Sequence, residues 1–406
     1  MGASSYDVAI VGGGIVGLAT ASALLDRTPS LRVAILEKED RVGQHQTGHN
    51  SGVIHSGIYY RPGSLKATLC REGSQRLLRF CDERGIAYAL PGKVIVATDT
   101  AELPALDKLL ANGTANGVPG LRRIGPEELR EIEPHAAGIA ALHYPQTGIV
   151  DFREVAASLG SSLDERGVEV ITGARFLHAV RDGDGIRAET TSGDVPTRFL
   201  VNCAGLYADD VARRMGLRPP LRIVPFRGEY FVLRPERRDL VRGLIYPVPD
   251  PRFPFLGVHF TRTIHGDVEA GPNAVLAFAR EGYTKWRIDA RELSATLTYP
   301  GFLRLAKRFW RTGFAEYRRS FRKKLFVEAL GRLVPEITTG DVAPGGAGVR
   351  AQAVARDGSL VDDFRIARSG PSIHVLNAPS PAATASLSIG EHIARVAAES
   401  LGLTQG

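Results

Sequence analysis

The sequence predicts an α/β fold: a nucleotide-binding unit assembled from discontinuous segments, joined to an α+β unit built on antiparallel sheet. Three observations predict it. The chain opens on strand, glycine turn, helix and strand; it closes on a buried-looking strand followed by a helix; and residues 222–285 carry apolar runs separated by prolines. At ~150 residues per domain, 406 residues make two or three domains, each able to bury its own core. Hydrophobic residues are 44% and charged residues 23%, which excludes a disordered or collagen-like chain.

The first strand is YDVAIV, the turn GGGIVG, the helix LATASALLDR and the second strand RVAILE. Gly12, Gly14 and Gly17 form G-x-G-x-x-G, and Glu37 follows Gly17 by twenty residues. Gly12 permits the tight turn, Gly14 lets a pyrophosphate approach the helix N-terminus, and Gly17 lets helix and strand pack closely. Glu37 can accept hydrogen bonds from an adenosine ribose. This is a Rossmann-like dinucleotide site. Residues 8–25 are uncharged, but three consecutive glycines and the absence of a basic region before them argue against reading them as a membrane span or export signal.

Residues 38–64 form a loop with five glycines, and a long ordered loop in a compact domain is usually functional. Residues 64–85 have helical period, and residues 86–144 read as short strands with a helix around LPALDKLLANGTANG. In GPEELREIEPH, Pro126 starts a helix and Pro134 stops it. Next come a helix ending at Gly167, the strand VEVIT, the buried strand FLVN, a turn at Gly205 and another helix. EYFVL, LIYPVP and FLGVHFT are the antiparallel strands, and residues 286–330 are mostly helical. The last helix is expected to take Ser380 as its cap, Pro381 in its first turn and Gly402 as its C-terminal glycine.

NAD and FAD both use the first motif. FAD also needs a glycine-rich loop after the acid and a second helix N-terminus near its flavin, where the positive end would stabilise the reduced anion. This chain offers both, so FAD is the expected cofactor. The expected FAD-binding domain takes residues 1–85, 145–215 and 340–406. The substrate-binding domain takes 86–144 and 216–339, with a basic helical segment at 286–330.

At this point the sequence resembles the D-amino-acid-oxidase-like FAD oxidoreductases, and within them the L-2-hydroxyglutarate dehydrogenase/oxidase group. The carrying segments are QTGHNSGVIHSGIYYRPGSLKA (46–67), VNCAGLYAD (201–209), PFRGEYF (225–231), GPNAVLAF (271–278), GVRAQAV (348–354) and APSPAATASLSIGEHIA (378–394). The resemblance implies oxidation of L-2-hydroxyglutarate to 2-oxoglutarate by hydride transfer to flavin N5, with electrons passing to a quinone or oxygen. It implies cofactor contacts at Lys38, Asn50, Ser51, Gly52, Ala204, Gly205, Ser380, Pro381, Ala382, Ala383 and Thr384, beside the four motif residues. An amine or amino-acid oxidase of the same fold is the alternative.

Oxidising an alcohol requires a group to take the hydroxyl proton, and histidine suits the task. His259, which strand alternation sets on the opposite face from Val258 and Phe260, and His55, in the glycine loop, are the two candidates; His49 reads as a loop residue. An α-carboxylate calls for the planar fork of an arginine. The resemblance places Arg350 there, in a segment where Ala351 replaces the family's proline. Tyr246 and Tyr60 are further expected substrate contacts, and Arg61, Lys66 and Arg262 are the cations available for a distal carboxylate.

Cys70, Cys81 and Cys203 have no paired or zinc-type spacing, so no metal site is expected and a reducing, cytoplasmic compartment fits them. Between Arg304 and Lys324 nine basic residues face one acid, Glu316, so this stretch carries +8 of a net +7. It lacks any RNA-binding motif, and no nucleic-acid partner is expected. Interleaved with Phe309, Trp310, Phe314, Tyr317 and Phe321, the basic residues suit peripheral contact with an anionic membrane surface on its inner face, or else the aromatics pack inward.

Overall fold

The computed structural model describes residues 6–183, 185–250 and 256–402. β1 (Tyr6–Val11) passes through the glycine turn into α1 (Ile15–Arg27) and β2 (Val33–Leu36). The glycine loop carries only β3 (Val53–Ile54) before α2 (Leu65–Arg84), β4 (Tyr88–Ala89) and β5 (Lys93–Ala97). α3 (Leu103–Ala115), β6 (Arg122–Ile124), α4 (Pro126–Ile132), β7 (Ala140–Tyr144) and β8 (Gly148–Val150) follow. α5 (Phe152–Glu165), β9 (Glu169–Ile171), β10 (Phe176–Asp182), β11 (Gly185–Thr190), β12 (Gly193–Asn202) and α6 (Ala208–Arg214) return to the first sheet. The next strands are β13 (Leu221–Leu233), β14 (Leu244–Pro247), β15 (His259–Arg262), β16 (Val268–Gly271) and β17 (Val275–Leu276). The chain finishes with α7 (Ala290–Leu297), α8 (Pro300–Phe321), α9 (Lys323–Leu330), β18 (Val342–Ala355), β19 (Arg365–Arg368), β20 (Ser372–Asn377) and α10 (Ser386–Leu401).

β9, β2, β1, β12 and β20 run parallel side by side, with β19 antiparallel at one edge. Parallel strands buried on both faces read as unbroken apolar runs, as VAIV and VAIL do. One face packs on α1, α5 and α10 through Leu18, Leu24, Leu159 and Ile393. The other is covered by the β10–β11 hairpin and α6 through Phe176, Ile186 and Val211. Because β1 and β20 are both parallel to β12, the helices that follow them begin at the same edge of the sheet. That edge is where an α/β sheet binds its ligand.

The second sheet has nine strands in the order β17-β13-β16-β15-β14-β5-β7-β6, with β18 on β13. Its pairs are antiparallel except β5 with β14. β18 belongs here, paired along almost all of β13, so residues 342–355 leave the nucleotide-binding segment that the sequence assigned to 340–406. A third small sheet, β3-β8-β4, holds the glycine loop against the chain.

Helix ends follow local chemistry where it is strong. Ser64 accepts from Ala67 N at the start of α2, and Gly85 closes it in the left-handed conformation at φ +64°. α10 departs from expectation: it starts at Ser386 with Ala385 as its uncapped N-cap, and residues 380–385 form turns. Tertiary bonding overrides the Ser-Pro signal, since Thr384 Oγ1 accepts from His55 N at 3.1 Å and donates to Val53 O at 3.2 Å. Gly402 does end the helix, at φ +68°. The expected strand FLGVHFT begins at Phe255, outside the described residues, and β15 itself starts at His259.

Candidate active site

At the nucleotide end, two of the three motif glycines are demanded by the chain itself. A Cβ on Gly12 would lie 2.6 Å from Cys203 O, and one on Gly17 would lie 2.0 Å from Gly12 O. Gly14 differs. A Cβ there would meet only Thr47 Oγ1, at 3.4 Å, so packing leaves room above the helix N-terminus. Thr47 itself, which the sequence reading missed, is buried and accepts from Ile15 N at 3.0 Å. Glu37 is buried beside the turn and accepts from Gly13 N and Glu39 N, both at 2.9 Å.

Ala204 and Gly205 cross the mouth of this turn: Cys203 N bonds Val11 O, and a Cβ on Gly205 would lie 2.9 Å from Gln46 Oε1. The buried pair Arg280–Asp209 pins the segment from below. Lys38, an expected cofactor contact, places its ammonium 2.6 Å from Glu281 and 2.8 Å from His45, and also pairs with Glu39. That pairing holds the Glu39 carboxyl down at about 2. Asn50 shapes its own loop, accepting from Gly52 N and donating to Thr47 O, with Ser51 half-buried between. His49 stacks on Tyr283, ring centroids 4.2 Å apart.

The other candidate residues gather in a buried cluster, the chamber, on one face of the second sheet. Lys93, Ile95 and Ala97 alternate on β5 with Val94 and Val96, which face the core below. Tyr246 pairs with Ile95, and so shares the face of Lys93. His259 also points here, while Val258 and Phe260 join the core on the other side. Its ring stacks on Tyr246 at 3.8 Å, and its Nδ1 lies 2.9 Å from Gly257 O. With Nδ1–H donated to that carbonyl, Nε2 keeps its lone pair for a proton. Tyr60 lies against Ser380, and Lys66 reaches over its ring at 5.0 Å.

Arg262 is a correction. Strand alternation puts it with Phe260, on the face away from His259 and Thr261, where it donates to Val241 O at 2.9 Å and lines a surface cavity with His135 and Arg242. Arg61 is exposed, and Lys66 donates to Asp362 O at 3.1 Å. Lys93, missed in the sequence, is 2% exposed and lies 4.3 Å from the centre of the Tyr246 ring.

Burial governs the charges. It pushes His259 down to about 3, assisted by Lys93 and Arg350 and opposed by the Gly257 hydrogen bond. His55 falls to about 3 through burial, with Lys93, His259 and Lys66 adding to it. Burial also lowers Lys93 to about 7 and raises Tyr246 to about 12. At neutral pH the chamber therefore holds two uncharged histidines among cationic groups. It suits an anionic ligand with a proton to lose.

A family model described as FAD dependent oxidoreductase matches residues 7–396. The chain belongs to this family. It is 53% identical over 387 residues to "L-2-hydroxyglutarate dehydrogenase" of Indibacter alkaliphilus, covering 95% of this chain and 97% of that one. To "L-2-hydroxyglutarate dehydrogenase, mitochondrial" of Homo sapiens it is 46% identical, covering 96% and 88%. The FAD-bound L-α-glycerophosphate oxidase of Mycoplasma pneumoniae shares the fold, with a TM-score of 0.79 at 22% identity over 99% of this chain and 96% of that one. Glycine oxidase from Geobacillus kaustophilus does so at 0.72 and 19%, over 98% and 95%.

The cofactor of this FAD-dependent oxidoreductase is FAD. Its residues fit the group: the space over Gly14 is one a Cβ would fill, Glu37 stands anchored beside it, and the Thr384–His55 contact ties the glycine loop to the turn before α10. No helix among the described residues is long and apolar enough to cross a membrane.

Proposed function

We propose that the protein oxidises L-2-hydroxyglutarate to 2-oxoglutarate. The observation that carries the reading is the pairing of near full-length similarity to the two dehydrogenases named above with a chamber holding neutral histidines among cations. FAD supplies the hydride acceptor. Gly12, Gly14, Gly17 and Glu37 hold its adenosine and pyrophosphate, the loop 48–57 and residues 380–384 its flavin end, and the segments 1–85, 145–215 and 356–402 make up the domain that carries it.

Arg350 binds the α-carboxylate, and Tyr246 donates a second hydrogen bond. His259 accepts the hydroxyl proton at Nε2 as the C2 hydride leaves; His55 is the alternative base. Burial holds these rings neutral and the cations add to it, so bound carboxylates, by offsetting the cations, raise the basicity of the histidine that must take the proton. Assays with a dye acceptor check the reaction: L-2-hydroxyglutarate should be turned over, with glycine, sarcosine and D-amino acids at background. Turnover of the amines alone makes the protein an amine oxidase of the same fold.

The electrons leave to a quinone or oxygen, and α8 brings the protein to an anionic membrane, on its cytoplasmic side. Leu303, Trp310, Phe314 and Phe321 are all more than half exposed, and beyond the kink at Phe309 the spacing of Trp310, Phe314 and Phe321 sets them in one stripe. Phe309 and Tyr317 pack inward, Tyr317 donating to Leu276 O at 2.8 Å. Exposed Lys307, Arg308, Arg311, Arg318, Arg322 and Lys324 flank the stripe. Each basic residue near such a surface contributes ~1 kcal/mol, so the protein should sediment with anionic liposomes at low salt and be released when these six are neutralised. Binding unchanged by neutralisation excludes this surface.

A further inference from the structure

We propose that Lys93 receives the distal carboxylate of the substrate and sets a preference for dicarboxylates over 2-hydroxy monoacids. This assignment rests on the reaction proposed above. Lys93 is almost fully buried, and the groups that face it are Cys70 on α2, His55 and Tyr59 on the loop, Tyr246 on β14 and His259 on β15. None is a carboxylate, and no ion pair is made by Lys93 among the described residues. A buried ammonium is costly unless it is paired. The rings of Tyr246 and Tyr59, at 4.3 and 5.5 Å, offset only part of that cost. The ammonium answers the remaining cost by giving up its proton near neutrality, and a ligand carboxylate is the counter-ion that would hold it charged.

The order of groups matches the order of atoms in the substrate. In the second sheet β15, with His259, lies between β18, with Arg350, and β5, with Lys93, so a molecule with its α-carboxylate at Arg350 and its hydroxyl at His259 extends its remaining carbons toward Lys93. The other cations serve less well: Arg262 is on the far face, Arg61 is exposed, and Lys66 is engaged by Asp362. A lysine at the first position of a strand reads in sequence as a solvated end, which is why KVIVA gave no signal.

The test uses the flavin-loaded protein and the non-reacting probes glutarate and butyrate, with binding read from the flavin absorbance change. Lys93→Met should weaken glutarate roughly a hundredfold and butyrate less than about twofold. Lys93→Arg should keep much of the glutarate preference. In turnover, Lys93→Met should raise KM for L-2-hydroxyglutarate and narrow its kcat/KM advantage over L-2-hydroxybutyrate. Because it removes an unpaired buried charge, its melting temperature should not fall. Equal loss of both probes, unchanged glutarate affinity, or a fall in melting temperature with loss of both ligands overturns the assignment. If wild type fails to oxidise L-2-hydroxyglutarate yet binds glutarate through Lys93, only the reaction is refuted. If wild type oxidises it and Lys93→Met affects both probes alike, only Lys93 is.

Discussion

Replacing Arg350 with alanine should lower kcat/KM for L-2-hydroxyglutarate by at least two orders of magnitude. The residue stands on β18 opposite Phe226, in the long pairing that fixes β18 to β13, so its backbone position is held by the sheet. Burial lowers its proton affinity, yet a guanidinium stays charged throughout the physiological range. Losing a buried two-pronged contact to a carboxylate costs about 3 kcal/mol or more, which is roughly a hundredfold. Lysine should restore little, because a point charge cannot supply the fork. Steady-state kinetics check this, and near-normal values would refute the role.

The pH profile carries a second signature of the same chamber. With His259 and His55 at about 3, the base is already unprotonated through mild acid. Lys93, at about 7, loses its charge as pH rises through neutrality. The kcat/KM of wild type should therefore stay level from mild acid to neutral pH and fall above it. Arg350→Ala removes a cation that depresses His259 and should move the acidic limb upward.

Gly14→Val should give a folded protein that cannot keep its flavin. The backbone at Gly14, φ −77° and ψ 171°, is open to any residue, and the nearest protein atom to an added Cβ is 3.4 Å away. The valine therefore meets the pyrophosphate, which must approach the helix end closely. Circular dichroism like that of flavin-stripped wild type, with flavin content down roughly tenfold, is the expected result. Gly17→Val is the contrast, since its Cβ would sit on Gly12 O and should prevent folding outright. A Gly14→Val protein that stays fully yellow removes FAD from this place.

What the sequence made legible is what local chemistry decides. β1, α1 and β2 with Glu37 follow from the glycine spacing, α2 from the helical period of residues 64–85, and the face of His259 from strand alternation. The same alternation carried a signal about Arg262, which shares parity with Phe260 and so lies on the face away from His259. The remainder depends on contacts between distant segments. Lys93 reaches the chamber because β5 pairs in parallel with β14, and nothing within KVIVA announces that. Thr47 caps α1 from a loop more than thirty residues on, and Thr384 bonds a loop 329 residues away in sequence, which delays the start of α10. Such bonds are set by tertiary packing, and no propensity encodes them.

Anaerobic titration of the yellow holoenzyme reads the proposed reaction in a single turnover. L-2-hydroxyglutarate should bleach the visible flavin band and yield one 2-oxoglutarate per flavin, while D-2-hydroxyglutarate leaves the band unchanged. A flavin untouched by the L-acid, or bleached equally by both enantiomers, would contradict it.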